Sequence, residues 1–288
     1  VRHYPRSHIE SISHDSTDEN ILVSFSGNAS DSDGSVVNYE WYSSLDGVFS
    51  NNKNTDNSTL SVGYHTITFK VKDNDGLWSI SSFDSLFIND IPESNISSQS
   101  SFISYQNNNT HFDVSFYGNV SDNDGSITHN YWNSSKDGVL STLGNFTVNV
   151  NTLSLGYHTI TFQGRDNYTT WSPEVSSWLV VKAYPNATIT SISPSSTDEG
   201  ASVSFSGSGS DEDGTITGYE WTSNKDGLLS NSASFSTTDL STGFHRITFK
   251  VKDNDTLWSV AKNSNVFIND ISVAAIDSIS PQTVYRNN

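Results

Sequence analysis

One pattern of residues occurs three times in this chain of 288 residues, and this repetition constrains the fold more than any other feature. Each unit contains an acidic loop of the form D-x-D-G, followed by a tryptophan and then an Asp-Gly pair. A segment of the form G-[YF]-H-x-I-T-F and a closing Trp-Ser pair complete the unit. A period of about 90 residues is typical of small domains in tandem, each folding around its own core.

The first and third units align without a gap, since Asp211 follows Asp31 by the same 180 residues that separate Trp221 from Trp41. The second unit diverges more. Either the repeating element consists of two units, or the three copies have diverged in sequence to different extents. We predict repeats at 1–91, 92–182 and 183–271, followed by the start of a fourth repeat at 272–288. Proline restricts the short linkers, and we expect little swing between neighbouring units.

The pattern of apolar residues within each unit predicts β-strands. Ile67, Phe69 and Val71 alternate with threonine and lysine, and this period of two places apolar groups on one face. Turn-forming Asp-Gly and Asn-Asp-Gly sequences separate such runs, and no stretch shows a helical period. Short strands and regular turns predict an all-β chain of three tandem immunoglobulin-like β-sandwiches, arranged as beads on a string.

Composition excludes several classes of protein. The chain has 32 acidic and 14 basic residues, a net charge of −18, which argues against nucleic-acid binding. It has no cysteine, and therefore no disulfide or thiolate metal site. No apolar run approaches the roughly 20 residues that a membrane span requires. Since the chain also contains no methionine, we expect it to be part of a longer, exported protein whose anchor lies elsewhere.

The repeated motifs resemble those of the PKD (polycystic kidney disease) domain, in the variant frequent in archaeal surface proteins. The shared frame is V-x-F-x-G, D-x-D-G, Y-x-W, D-G and G-x-H-x-I-x-F-x-V-x-D-x-x-G, and it begins at Val23 in the first unit. The segment after Trp41 departs from the W-D-F-G-D-G of common PKD domains, because only Asp46-Gly47 is retained. The resemblance implies a seven-stranded immunoglobulin-like sandwich that acts as a spacer, adhesion or docking module.

The D-x-D-G loops are the candidate cation sites. Two carboxylates two positions apart in a loop can face one hard cation, which we expect to be calcium, whereas the alternative is that they cap turns. The resemblance adds a glutamate before the first strand and an aspartate at the end of the late strand, although the second unit has Thr110 in place of the glutamate. The predicted metal ligands are Glu19, Asp31, Asp33, Asp73, Asp122, Asp124, Asp166, Glu199, Asp211, Asp213 and Asp253.

The repeated aromatic residues and histidines are predicted to be structural. Trp41, Trp132 and Trp221 are expected in the cores, although a row of carbohydrate-stacking rings is the alternative. We also expect Trp78, Trp171 and Trp258 to pack, and His65, His158 and His245 to determine the fold. The chain contains no G-x-S-x-G elbow, H-x-x-x-H or P-loop, and active sites are rarely repeated in tandem, so we predict no enzyme activity.

Glycosylation sequons of the form N-x-S/T are only slightly more frequent than this composition produces by chance. Asn28 and Asn119 occupy the same position just before the acidic loop, which favours these two. We expect glycans if the protein is an exported archaeal or eukaryotic one. The predicted acceptors are Asn28, Asn57, Asn95, Asn108, Asn119, Asn133, Asn145, Asn167, Asn186 and Asn254.

The near-identity of the first and third units favours a structural role at a cell surface. We expect an extracellular segment of a stalk, sheath or filament, whose partners are neighbouring repeats or other copies of itself in a fibre or surface layer. One alternative is an adhesin that binds glycan or protein. Another is an accessory region of a secreted hydrolase. Asp90 and Asp270 lie where a cation could bridge one unit to the next, whereas Lys182 and Ala183 follow the second unit, so we expect the junctions to differ.

Overall fold

A computed structural model describes residues 2–106 and 113–277, and it contains three β-sandwiches in tandem. The sequon at Asn108, the position of Thr110 and most of the expected fourth repeat, 278–288, lie outside the described residues. The described residues separate into two compact units, one of 2–102 with 113–180 and one of 103–106 with 181–277.

Among the described residues, each sandwich has eight strands. The first sandwich has β1 (Arg6–Ile12), β2 (Ser16–Asp18), β3 (Val23–Ser30), β4 (Val36–Ser43), β5 (Gly47–Ser50), β6 (Asn54–Asn57), β7 (Gly63–Asp73) and β8 (Ser82–Asn89). The second has β9 (Glu93–Gln99), β10 (Ile103–Gln106), β11 (Val114–Ser121), β12 (Ile127–Ser134), β13 (Gly138–Ser141), β14 (Asn145–Val148), a 3₁₀ turn (Val150–Thr152), β15 (Gly156–Asp166) and β16 (Val175–Ala183). The third has β17 (Asn186–Ser193), β18 (Ser196–Asp198), β19 (Val203–Ser210), β20 (Ile216–Ser223), β21 (Gly227–Ser230), β22 (Ser234–Thr237), β23 (Gly243–Asp253) and β24 (Lys262–Asn269).

Two sheets form each sandwich. In the first, a three-stranded sheet of order β1-β3-β6 packs on a five-stranded sheet of order β2-β8-β7-β4-β5. The second and third sandwiches repeat this arrangement, with β10 and β18 in the place of β2. The short strands β2 and β18 pair in parallel with β8 and β24, whereas β7 pairs with both of its neighbours antiparallel. The predicted fold of three immunoglobulin-like sandwiches is therefore confirmed.

The core of each sandwich follows the alternating pattern of its longest strand. In β7, Ile67, Phe69 and Val71 are fully buried, as the period of two predicts. Trp41 is also fully buried, with its ring centroid 4.4 Å from that of Phe69 and 5.5 Å from that of Phe25. Trp132 and Trp221 are equally buried, which confirms that these tryptophans are core residues.

Strand β7 runs from one end of the first sandwich to the other. Asp73, its last residue, pairs with Val36 directly after the D-x-D-G loop, and we call this the acidic end. Gly63, its first residue, pairs with Ile88 near the end of β8, and we call this the exit end. Eleven residues of strand separate the two ends by about 30 Å. Strands β15 and β23 define the same two ends in the second and third sandwiches.

Candidate functional site: the acidic loops and the linkers before them

The fold brings two separate parts of the sequence together at each acidic end. In the first sandwich, the loop between β3 and β4 supplies Asp31 and Asp33, and β7 supplies Asp73. The loop aspartates and the strand aspartate therefore lie at the same end of the sandwich. The equivalent groups are Asp122, Asp124 and Asp166 in the second sandwich, and Asp211, Asp213 and Asp253 in the third.

An asparagine next to the strand aspartate holds each acidic loop in shape. Asn74 Oδ1 accepts a hydrogen bond from the backbone N–H of Ser35 at 2.6 Å, and Asn167 and Asn254 make the same contact in the other sandwiches. A Cβ atom on Gly34 would overlap the Asn74 amide and the Asp31 carboxylate. The glycine of the motif is therefore required by lack of space rather than by a positive φ. The repetition of this asparagine could have revealed its role in the sequence.

Two carboxylate oxygens in the first acidic loop are buried without a partner. Asp73 is 2% exposed, and its Oδ1 accepts from the Leu77 N–H at 2.8 Å, but its Oδ2 has no hydrogen-bond partner in the described chain. Asp31 Oδ1 is likewise buried and unpartnered. Burial raises the pKa of Asp31, and the neighbouring Asp33 and Asp73 carboxylates raise it further. The arrangement thus concentrates negative charge that a divalent cation would neutralise.

The third acidic loop repeats this arrangement. Asp253 is 1% exposed, with Oδ1 bonded to the Leu257 N–H and Oδ2 unpartnered among the described residues. Both carboxylate oxygens of Asp211 are buried and unpartnered there as well. Burial raises the pKa of Asp211, followed by the charges of Asp213 and Asp253. An all-oxygen set of this kind suits calcium better than a softer metal.

The second acidic loop differs because a residue of the first sandwich enters it. Asp166 accepts from the Thr170 N–H at 2.8 Å and from Asn89 Nδ2 at 2.9 Å, so both of its oxygens have donors. Asp122 Oδ2 and Asp124 Oδ1 remain buried without a partner in the described chain. Burial also raises the pKa of Asp122.

Glu19 and Glu199 do not join these clusters. Glu19 follows β2, which pairs in parallel with the last residues of β8, and the Glu19 N–H bonds to the Asn89 carbonyl at 2.9 Å. Glu199 makes the same contact with Asn269. Both glutamates therefore lie at the exit end, the length of a long strand away from the acidic loop of their own sandwich. The structure does not support them as ligands of these sites.

The second aspartate of each loop holds the linker that precedes its sandwich. In all three cases, a backbone N–H shortly before the first strand of the sandwich donates to this carboxylate at 3.0–3.1 Å, from the linker itself or, for Ala183, from the end of β16. The pairs are His3 with Asp33, Asp90 with Asp124, and Ala183 with Asp213. The motif therefore has two functions. Its second aspartate fixes the preceding backbone, whereas its first aspartate has carboxylate oxygens without a hydrogen-bond partner among the described residues.

The exit end of the first sandwich is covered by the second sandwich. Phe87 is 7% exposed because Tyr64 and Tyr168 lie over it, with ring centroids 4.4 and 4.7 Å away. Beside this apolar contact, Asp18 Oδ1 accepts from Asn89 Nδ2 at 2.9 Å and from the Thr170 hydroxyl at 2.7 Å. The two sandwiches thus share apolar and hydrogen-bonded contacts in addition to the linker.

A buried serine and a buried histidine recur at each exit end, next to an aspartate that remains partly exposed. The Nε2 of His65 lies 2.6 Å from the carbonyl oxygen of Ser61, which can only accept, so Nε2 carries a proton. The Ser43 hydroxyl lies 2.7 Å from Nδ1, and Asp46 Oδ2 lies 3.5 Å from the same nitrogen. In a nucleophilic triad the serine and the carboxylate bond to opposite ring nitrogens. This geometry is therefore structural, as predicted for the histidine.

The Asp-Gly motif is explained by the same group of residues. Asp46 accepts hydrogen bonds from both the backbone N–H and the hydroxyl of Ser61, and so ties its turn to the start of β7. The corresponding contacts in the other sandwiches join Asp137 to Ser154 and Asp226 to Ser241. The serines were missed in the sequence because serine is so frequent in this chain.

The tryptophan of the closing Trp-Ser pair lies at the surface of its sandwich, unlike the core tryptophans. Trp171 and Trp258 are 38% and 37% exposed and lie on the outer face of the five-stranded sheet. Basic side chains cover them, as Arg165 covers Trp171 at 5.3 Å and Lys250 covers Trp258 at 5.1 Å. The adjacent serine is buried and accepts a backbone N–H of the long strand, as Ser79 does from Val71 at 3.1 Å.

Most of the described sequons are accessible. The exposed acceptors are Asn28, Asn95, Asn119, Asn145, Asn167, Asn186 and Asn254, whereas Asn57 and Asn133 are half-buried. Asn28 and Asn119 lie in the equivalent strands β3 and β11, close to the acidic ends. No helix in the described part of the chain is long and apolar enough to cross a membrane.

The fold defines a tandem array of immunoglobulin-like β-sandwiches, and solved structures show the same architecture. An I-band fragment of titin is 14% identical, with 94% of this chain and 100% of that chain covered, and a TM-score of 0.54. The N-terminal eight immunoglobulin domains of the Down syndrome cell adhesion molecule are 9% identical, with 94% of this chain and 37% of that chain covered, and a TM-score of 0.51. At these identities the likeness concerns the fold alone. No protein-family model and no curated protein sequence matches the chain.

Proposed function

We propose that this chain is a structural segment of an extracellular, cell-surface stalk, sheath or filament, built from PKD-like sandwiches of the archaeal type. The observation that carries the proposal is the linker contact repeated before all three sandwiches. A sandwich that binds the backbone of its incoming linker leaves that linker fewer conformations. Restricted linkers and near-identical units are properties of a spacer, whereas a binding module typically has one distinctive surface.

Two experiments test this structural role. Antibodies against the segment should label the surface of intact source cells, and labelling confined to the cell interior would contradict the proposal. Stretching the full chain in a single-molecule force experiment should give three unfolding steps of similar size. Each step should release about 90 residues, or roughly 300 Å of chain. Unfolding in one step at low force would be inconsistent with a segment that transmits tension.

We further propose that the acidic ends bind calcium. The support is the pair of unpartnered oxygens on Asp31 and Asp73, and on Asp211 and Asp253, where two of the side chains are at least 98% buried. Oxygen ligands at a loop are what calcium prefers, and uncompensated buried charge is costly without it. Calcium should therefore raise the melting temperature, because a ligand that binds only the folded state stabilises it. Identical melting in calcium and in chelator would refute the proposal.

The exposed sequons support a glycoprotein, with Asn28 and Asn119 as the first acceptors. Intact-mass measurement of native material should exceed the 31.6 kDa of the bare chain after allowance for any flanking sequence. Conversion of Asn28 to Gln should then reduce the mass by one glycan. A native peptide that contains Asn28 and carries no added mass would count against this acceptor.

An adhesin is the second candidate function, favoured by a groove on the first sandwich. Tyr4, Trp78 and Ile80 line this cavity of about 540 Å³, and Tyr4 and Ile80 are exposed. Aromatic and apolar walls of this kind can stack against sugar rings. If the groove binds glycan, a glycan array should give a signal that Trp78→Ala abolishes. An accessory role in a secreted hydrolase would instead require a catalytic domain in the flanking sequence.

A further inference from the structure

The exit end of the third sandwich exposes a surface that the first sandwich buries. Phe267 is 43% exposed, whereas Phe87, its equivalent in the first sandwich, is 7% exposed. Phe87 pairs with Tyr64 across the sheet, and Phe267 pairs in the same way with Phe244. Phe244 retains the aromatic ring of Tyr64 and is 57% exposed. Two adjacent aromatic side chains at the third exit end are therefore accessible to a partner.

The polar residues beside this phenylalanine are also repeated in the third sandwich. Asp198 and Asn269 occupy the positions that Asp18 and Asn89 hold in the first. In the first sandwich, both residues bond to side chains of the second sandwich, at 2.7 and 2.9 Å. In the third, Asn269 Nδ2 donates to Asp198 at 3.3 Å, and both residues are exposed. The third exit end therefore has the same docking groups as the first.

The acidic ends are of two kinds, which differ two positions after the last residue of the long strand. The second sandwich has Tyr168 there, and its ring covers Phe87 with the centroids 4.7 Å apart. The first and third sandwiches have Asp75 and Asp255 instead. A carboxylate placed over an aromatic ring would lose its hydration without gaining a partner. An exit end of the Phe87 kind therefore fits an acidic end with a tyrosine.

The exit ends differ in a matching way. The last strands of the first and third sandwiches end on asparagine, whereas Lys182 holds this position in the second unit. Lys182 pairs with Asp255 of the third sandwich at 2.6 Å. Arg2, in the corresponding position before the first sandwich, pairs with Asp75 at 3.6 Å. A basic residue thus meets an aspartate at one kind of junction, and a phenylalanine meets a tyrosine at the other.

We infer that the exit end of the third sandwich is a docking surface for a further repeat of the second kind, with a tyrosine in the position of Tyr168. The surface is the one on which the first sandwich already receives such a repeat, and docking would remove Phe267 from water as it removes Phe87. The inference rests on the proposed structural role and extends it, since it names the partner of one exposed surface. Aromatic and ionic junctions would then alternate, and the repeating element would be two units long.

An extended chain tests the docking directly. Residues 1–271 are followed by a second copy of 92–185, which preserves the register because Ile271 holds the position of Ile91. Since the chain has no cysteine, Asn265→Cys and Thr142→Cys in the copy can carry two spin labels for pulsed electron resonance. The reference is the parent chain labelled at Ser85→Cys and Thr142→Cys, which are equivalent exposed positions. We expect the same mean distance and a similarly narrow distribution in the extended chain.

Variants separate docking from simple tethering. Tyr168→Asp, made only in the copy, introduces the residue type of the other two units and should abolish the narrow distribution, as should Phe267→Ser. Phe83→Ser, at a more exposed phenylalanine of the first sandwich, is the matched control and should leave it unchanged. In the parent chain, Phe87→Ser should lower the melting temperature by at least about 3 °C, whereas Phe267→Ser should lower it by less than half as much.

Each alternative result has a defined meaning. A broad distribution in the extended chain would overturn the inference. A narrow one that survives Tyr168→Asp in the copy would also overturn it, because the linker alone would then hold the repeat. Equal melting shifts for Phe87→Ser and Phe267→Ser would contradict it as well, and that comparison requires no added repeat. Surface labelling of cells and the unfolding steps test the structural role independently of these results.

Discussion

The side-chain nitrogen of Asn89 lies 2.9 Å from the carboxylate of Asp166, so a residue at the exit end of one sandwich completes the acidic end of the next. Both residues are at least 97% buried. The same nitrogen also lies 2.9 Å from Asp18, which makes Asn89 a donor shared by two carboxylates of different sandwiches. The contact couples the stability of the first sandwich to that of the second, and a substitution of Asn89 should remove this coupling.

Replacing Asn89 with alanine should destabilise the protein by about 1–3 kcal/mol, because the buried Asp166 carboxylate loses the donor to its Oδ2. Chemical denaturation should show this loss in the transition of the first two sandwiches. Asn269 is the matched control, since it occupies the same position in the third sandwich but is exposed. Asn269→Ala should change stability by less than about 0.5 kcal/mol. Equal effects of the two substitutions would contradict a coupling role for Asn89.

Asp211→Asn should stabilise the third sandwich in chelator and remove its response to calcium. The raised pKa of Asp211, caused first by burial and then by Asp213 and Asp253, means that its charged form is disfavoured in the folded state. The Asn side chain carries no charge, so the substitution removes the cost of burying the Asp211 charge and its repulsion by Asp213 and Asp253. It also removes a proposed calcium ligand. Differential scanning calorimetry in chelator and in calcium measures both effects. Asp239→Asn, at an exposed position, should leave both unchanged. A calcium response that persists in Asp211→Asn would count against the site.

Ser134→Ala should cost about 1–3 kcal/mol, because the buried His158 ring loses the hydroxyl that lies 2.8 Å from its Nδ1. His158 is fully buried, so water cannot replace the lost partner. Ser98→Ala, on an exposed strand position of the same sandwich, provides the control and should be nearly neutral. Denaturant titration followed by tryptophan fluorescence suits this comparison. A neutral Ser134→Ala would mean that the histidine is held by its backbone contact alone.

The first sandwich should lose stability in acid partly through Asp46. Burial by itself would raise the pKa of Asp46, but hydrogen bonds from Ser61 and Ser43, with His65 nearby, lower it overall. A group whose folded pKa lies below its unfolded value of about 3.9 stabilises the fold above that pH and loses this contribution as the pH falls. The melting temperature of Asp46→Asn should therefore fall less between about pH 5 and pH 3 than that of the parent. If the melting temperatures of Asp46→Asn and the parent fall equally with pH, Asp46 does not contribute to the acid sensitivity.

The number of sandwiches and the residues of their cores followed from the sequence alone. The repeated motifs and the alternation of Ile67, Phe69 and Val71 are local patterns, and burial of one strand face follows from them without knowledge of the partners. The core position of Trp41 followed in the same way. The resemblance of the motif frame to a known domain also led us to expect Asp73 at the same end of the sandwich as Asp31 and Asp33, and strand pairing brings it there.

The end of the sandwich at which each remaining residue lies depends on long-range strand pairing, which the sequence pattern does not specify. Glu19 is near Asp31 in sequence, but the parallel pairing of β2 with β8 carries it to the exit end, and such pairing is a long-range property. The roles of Asn89 and Asp90 depend on contacts with residues more than 30 positions away, beyond any local pattern. Sequence periodicity specifies which face of a strand is buried, whereas strand pairing and the docking of one sandwich on the next specify which charges meet.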